Sequence, residues 1–200
     1  MNKVKILAYS IFAFIIGAFI SFLALKIMYK SKQPKPIVKT KIVKKIVKVP
    51  VVEIVPGKIN EKRLTEWIYQ NSFRCSRKQA KEIAHLLLQT KYPLLFAAII
   101  KNESSFNITA YSKSKAIGLM QILPTSAHLN QLKKAGIINE PRDLFNPETN
   151  IKAGQLIFTD ILKINNNNIR KALKMYCGGS GVYVKNVLQT LGEITIFVKN

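Results

Sequence analysis

The chain has 200 residues, with 32 Lys and Arg against 10 Asp and Glu, a formal net charge of +22. Its two cysteines and two histidines exclude a disulfide-rich scaffold and a four-ligand zinc site built from Cys alone. The surplus charge is spread over the chain, +11 in residues 1–60 with twelve Lys and one Glu and +11 in residues 61–200, and no zinc finger, RRM signature or P-loop occurs, so no nucleic-acid partner is expected.

Residues 6–25, ILAYSIFAFIIGAFISFLAL, are uncharged. At helical rise they span roughly 30 Å, one hydrocarbon core, which predicts a single transmembrane helix in an anchor covering residues 1–30. A cleaved signal peptide is the competing reading. Lys3 and Lys5 make a basic n-region, but the apolar run exceeds a usual h-region and no A-x-A site follows. Lysines flank the run on both sides, and the excess at Lys26, Lys30, Lys32 and Lys35 by itself argues for a cytoplasmic C-terminal part.

Residues 31–60 repeat Ile-Val-Lys from Ile37, Ile42 and Ile46, with Pro34 and Pro36 before and Pro50 and Pro56 after. This composition reads as an extended spacer, reaching about 100 Å if fully drawn out. A strand hairpin packed on the following domain is the alternative, disfavoured because Pro interrupts a central-strand pattern.

From Glu61 to the end the periodicity is helical, predicting a mainly α domain over residues 61–200. EKRLTEWIYQ is a short amphipathic stretch. SRKQAKEIAHLLLQT opens with a capping box, Ser76 and Gln79, and YPLLFAAIIKNE places Pro93 at a first helical position. Further helices are expected in PTSAHLNQLKKAG, NPETNIKAGQLIFTDILK, NIRKALKMY and GVYVKNVLQTL. Trp67, Tyr69 and Phe73 read as core, and His85 as a half-buried, satisfied side chain in an apolar run. The spacing of His85 and His128 completes no metal site, and no metal or other cofactor is expected.

Glu103 ends the apolar run PLLFAAII and is the one carboxylate between Glu82 and Glu140. A preceding apolar turn and the negative end of a helix dipole both disfavour its ionised form. A carboxyl kept protonated near neutral pH is what a general acid requires, though a solvated helix-end Glu is the plain alternative.

The residues that follow form a long pattern. ESSFNITAYSKSKAIGLMQILPTSA resembles the lytic transglycosylase SLT domain, whose motif runs E-S-x-F-x-x-x-A-x-S, then A-x-G-L-M-Q, then a Pro and Thr-Ala. Glu103, Ser104, Phe106, Ala110 and Ser112 match the first block. Ala116, Gly118, Leu119, Met120, Gln121, Pro124 and Ala127 match the second, with Ser126 where Thr is usual. LFNPETNIKAG and ALKMYCGGSG resemble two later blocks, with Asn146 for the usual Asp, Cys177 for Asn and Gly178 for Ala. The resemblance covers roughly residues 90–192.

It implies a lysozyme-like fold that binds peptidoglycan glycan strands and cleaves the MurNAc-β-1,4-GlcNAc bond, leaving a 1,6-anhydro ring. Glu103 is then the catalytic residue, Ser112 and Gln121 hold the N-acetyl group and the sugar, Met120 lines the groove, with plain core packing as its equal alternative, and Tyr176 orients Glu103. Phe106 reads as core. One carboxylate suffices because the sugar's own C6 hydroxyl replaces the second acid of other glycosidases. The substrate lies outside the cytoplasmic membrane, so the implied topology is single-pass with the domain facing the periplasm or wall, which overrides the Lys count. A virion or an envelope-spanning secretion assembly is a possible setting. A lysozyme-type muramidase and a non-catalytic wall-binding protein are the alternatives, the latter resting on Cys177. A Cys75–Cys177 disulfide is left open.

Overall fold

The computed structural model describes residues 59–199. The expected membrane helix and the spacer up to residue 58, with its hairpin alternative, lie outside these residues. Among the described residues no helix is long and apolar enough to cross a membrane.

Seven α-helices follow one another: α1 (Glu61–Asn71), α2 (Arg77–Leu88), α3 (Pro93–Glu103), α4 (Ser126–Lys134), α5 (Pro147–Ile164), α6 (Ile169–Tyr176) and α7 (Gly181–Lys199). A 3-10 turn, Pro141–Phe145, precedes α5. Between α3 and α4 the chain makes only two isolated antiparallel bridges, Tyr111 with Ile117 and Ile117 with Ile122. The mainly α expectation holds for the described residues.

The starts are set by local chemistry. Asn60 accepts from the Lys62 and Arg63 amides at the head of α1. Ser76 and Gln79 form the expected reciprocal capping box on α2. Pro93 opens α3, where its missing N–H has no helical partner to lose.

The core is organised around α3. Leu94 through Ile100 are seven consecutive buried residues, so this helix is apolar all round and has no solvent face until its last turn. Helices α2 and α7 pack on it, α1 packs on α2 and α7, and α5 joins α2 to α6. Phe96, Phe158 and Tyr176 stack edge to face in sequence, with centroids 5.8 Å apart at each step.

Helix α7 continues past Leu191, where its sequence pattern weakens, to Lys199. Leu191, Ile194 and Val198 are buried on one helical face, and that packing outweighs the low helix propensity of the β-branched run. Three other expectations need correction or refinement. Trp67 is core, but Phe73 is 76 % exposed and Tyr69 sits at the surface. His85 is exposed rather than half-buried and faces Glu61 and Gln89. Phe73 and Tyr69 instead lie under the guanidinium groups of Arg74 and Arg77. Cys75 and Cys177 are both free thiols, and burial, aided by the charge of Glu82, pushes the Cys75 thiol up to about 11.

Candidate active site

Glu103 is the last residue of α3. The chain leaves the helix through Ser105 and Phe106, both in the left-handed region at φ 49° and 61°. Such a conformation is costly for a Phe. It persists because the Phe106 ring is fully buried and meets Trp67 edge to face at 6.0 Å. The core assignment of Phe106 holds, and the ring anchors the turn that frees the Glu103 side chain from the helix.

Glu103 is half-buried, and its Oε1 accepts a 2.6 Å hydrogen bond from the Tyr183 hydroxyl. Burial raises the Glu103 carboxyl above the ordinary range, and the Tyr183 bond opposes this only in part. Tyr183 itself is pushed up by burial and by the neighbouring carboxylate, so it stays a neutral donor. With Oε1 engaged, Oε2 is the oxygen left to carry and exchange a proton. The arrangement suits a carboxyl that donates a proton and then takes one back.

Tyr183 was not singled out from sequence. It stands in the first turn of α7, where Ser180 Oγ accepts from its amide at 3.2 Å. It reaches Glu103 because α7 packs along α3, a pairing fixed further by Asn102 Nδ2 donating to Thr190 Oγ1 at 3.2 Å. A hydroxylated aromatic among the apolar residues of GVYVKNVLQTL was the available signal.

Tyr176 is placed differently from expectation. Its hydroxyl donates to the Met120 carbonyl at 2.8 Å, so Tyr183, not Tyr176, holds Glu103. It remains close enough that the Glu103 charge, after burial, raises its own phenol. For Met120 the core alternative holds: its side chain is fully buried and does not line a groove. A Cβ on Gly154 would come within 2.2 Å of the Met120 sulfur, so α5 accepts this side chain only because Gly154 lacks one.

Asn150 ties the parts together and is the one buried polar residue among those described. Its Oδ1 accepts from the Met120 amide at 2.8 Å, and its Nδ2 donates to the Ile117 and Leu144 carbonyls at 2.9 and 2.7 Å. Gly118, at φ +73°, passes so near that a Cβ would lie 2.3 Å from Asn150 Nδ2. Sequence alone gave Asn150 no role. A lone amide on the apolar face of a helix is the signal, since buried polar groups find partners.

Gln121 is half-buried and left-handed at φ 48°. Its Nε2 donates to the Gly118 and Ala110 carbonyls at 3.0 and 3.4 Å, which leaves its oxygen as the end with capacity to accept. Ser112 Oγ accepts from the Ala116 amide at 3.0 Å and keeps its proton to donate. Both belong to one loop, closed by Gly118 N–H to Ala110 O at 2.8 Å. Among the described residues neither shares a hydrogen bond with Glu103. No group of three or more His, Cys, Asp or Glu able to hold a metal occurs among them.

Cys177 caps α6 in a turn closed by Gly178 N–H to Met175 O and Gly179 N–H to Lys174 O, a Schellman pattern. Gly178 occupies its left-handed position at φ +70°. The thiol makes only weak contacts, with the Lys174 and Ser180 carbonyls, so what this segment contributes is a tight backbone link between Tyr176 and Tyr183.

Comparison with protein families gives the same region. The transglycosylase SLT domain family matches residues 87–193, more than half of the chain. The chain belongs to this family. Relatives of this SLT domain include "Membrane-bound lytic murein transglycosylase E" of Buchnera aphidicola subsp. Baizongia pistaciae, 39% identical over 117 residues, which are 53% of this chain and 51% of the relative. Another is "Membrane-bound lytic murein transglycosylase C" of Pectobacterium atrosepticum, 39% identical over 97 residues, 44% of this chain and 27% of the relative. The protein of that name from Yersinia pestis strain Pestoides F is 35% identical over 96 residues, with the same shares. The chain thus spans about half, or about a quarter, of the length of these relatives. No solved structure matches it significantly.

Proposed function

We propose that this SLT domain is a peptidoglycan lytic transglycosylase that cleaves the MurNAc-β-1,4-GlcNAc bond without water. The observation that carries the reading is the state of Glu103: half-buried, raised in pKa by that burial, and influenced otherwise only by the neutral Tyr183 hydroxyl. Among the described residues no carboxylate contributes to its shift. An enzyme that attacks with a carboxylate or activates water needs that second group nearby.

Glu103 protonates the glycosidic oxygen as the bond to C1 breaks, and the substrate's N-acetyl group stabilises the positive charge at C1. The C6 hydroxyl of the same sugar then attacks C1, and the Glu103 carboxylate takes its proton. The ring closes as a 1,6-anhydro end and Glu103 is again protonated. Intramolecular attack supplies the effective concentration that a second acid would otherwise have to provide. Ser112, as donor, and Gln121, as acceptor, hold the N-acetyl group and sugar. Tyr183 positions Glu103, and Tyr176 acts through the Met120 backbone.

The chain is read as anchored by residues 6–25 in the bacterial cytoplasmic membrane, with the domain facing the wall. The names of the membrane-bound relatives support this setting. Wall remodelling, local wall opening for an envelope-spanning assembly, or entry of a virion are roles this activity would serve. The test is digestion of purified sacculi by the full 200-residue chain. Glu103→Gln is expected to abolish release of soluble fragments while binding to sacculi persists. Retained release by Glu103→Gln would remove Glu103 from the chemistry.

A further inference from the structure

Four aromatic rings are exposed among the described residues, Tyr69, Phe73, Tyr111 and Phe145, and of these Tyr111 and Phe145 lie against each other. Tyr111 is 60 % exposed and Phe145 38 % exposed, and their ring centroids lie 6.4 Å apart with planes at 36°. Among the described residues this is the only aromatic pair with both rings exposed, and it is tilted where the four others meet edge to face. Two rings left in water beside each other gain little for folding.

The backbone under each ring is held, from opposite sides, by the framework that holds the candidate site. Tyr111 precedes Ser112 and bridges to Ile117. Phe145 ends the 3-10 turn and follows Leu144. Asn150 Nδ2 donates to the Ile117 carbonyl and to the Leu144 carbonyl, while its Oδ1 holds the Met120 amide next to Gln121. One buried amide therefore sets the spacing of the two rings and fixes them relative to the Ser112 and Gln121 loop.

We propose that Tyr111 and Phe145 form a stacking subsite for a sugar ring of the bound glycan strand, beyond the residue at the cleaved bond. This rests on the transglycosylase reading above. A pyranose presents a face of C–H groups that stacks on an aromatic ring, while its hydroxyls remain in water. A rigid, preformed aromatic platform contributes contact area with little loss of rotamer freedom on binding. Its position directly before Ser112 makes it continuous with the groups assigned to the N-acetyl sugar. The occupant is the glycan, not the stem peptide, because the pair offers ring faces and brings no charged group of its own.

The test measures binding of glycan strands freed of stem peptides to the full chain carrying Glu103→Gln, so that the strand stays intact. Tyr111→Ala and Phe145→Ala are each expected to weaken binding about tenfold, and Tyr111→Phe to restore it, as stacking on an aromatic face predicts. In the cutting chain the same Ala changes fall on KM rather than kcat. Unchanged affinity in both Ala variants would overturn the subsite while leaving Glu103 chemistry standing. A loss seen with intact sacculi but not with stripped strands would assign the pair to the stem peptide and overturn it equally. If the Glu103→Gln chain binds no strand, the subsite and the glycan reading fall together. Matching thermal unfolding of the variants and parent shows that the loss is not one of folding.

Discussion

The Tyr183 hydroxyl reaches across 80 residues of sequence to Glu103 Oε1 at 2.6 Å, while Tyr176, seven residues earlier, turns its hydroxyl to the Met120 carbonyl. The two phenols divide the work of one site. Tyr183 fixes the carboxyl, and Tyr176 fixes the loop that carries Gln121.

Tyr183→Phe removes a bond that favours the ionised form of Glu103. The carboxyl should then titrate higher, so the high-pH limb of the pH–rate profile moves up. Loss of a hydrogen bond to a charged group predicts a fall in kcat of about tenfold to a hundredfold. A limb that stays in place or moves down would separate Tyr183 from the titration of Glu103.

Glu103 also makes stability depend on pH. Its folded-state carboxyl holds a proton more tightly than in the unfolded chain, because burial raises it. The folded state therefore loses stability as pH rises from the ordinary carboxylate range through the raised value. Glu103→Gln cannot ionise, so its stability advantage over the parent should grow across that window and then level off. Urea unfolding of both chains from about pH 4 to about pH 8 measures it. A pH-independent difference contradicts the assignment.

Asn150→Ala leaves the Met120 amide and the Ile117 and Leu144 carbonyls without their partner. The expected cost is about 3–5 kcal/mol in equilibrium unfolding, with activity falling as the loop loosens. Asn150→Asp should not rescue it, since a carboxylate would face two carbonyl oxygens.

Two glycines with nearly equal φ should respond differently to Ala. At Gly118, φ +73°, the new methyl meets Asn150 Nδ2 at 2.3 Å and the Leu144 carbonyl at 2.5 Å. At Gly178, φ +70°, nothing lies within 4 Å. Gly178→Ala should therefore cost about 1 kcal/mol, the backbone effect alone, and Gly118→Ala about 2–4 kcal/mol. Equal losses would show that the Asn150 knot yields to an added methyl.

Much of this was legible in sequence because its causes are local. The Ser76–Gln79 capping box and the N1 proline Pro93 marked the starts of α2 and α3, apolar periodicity marked the other helices, and the motif around Glu103 marked the carboxyl. What was not legible depends on contacts between distant segments. Tyr183 meets Glu103 only because α7 lies along α3. Met120 looked like groove wall in GLMQ, yet it fills the space left by Gly154. Phe73 matched a core residue in type but follows the end of α1, where no neighbouring helix covers it.

The most direct test is mass spectrometry of the fragments that the full chain releases from purified sacculi. Cleavage by a single carboxyl and the substrate's own C6 hydroxyl predicts 1,6-anhydro-MurNAc ends, one water lighter than the hydrolytic product and inert to borohydride. Reducing MurNAc ends would contradict it and establish a muramidase that uses water.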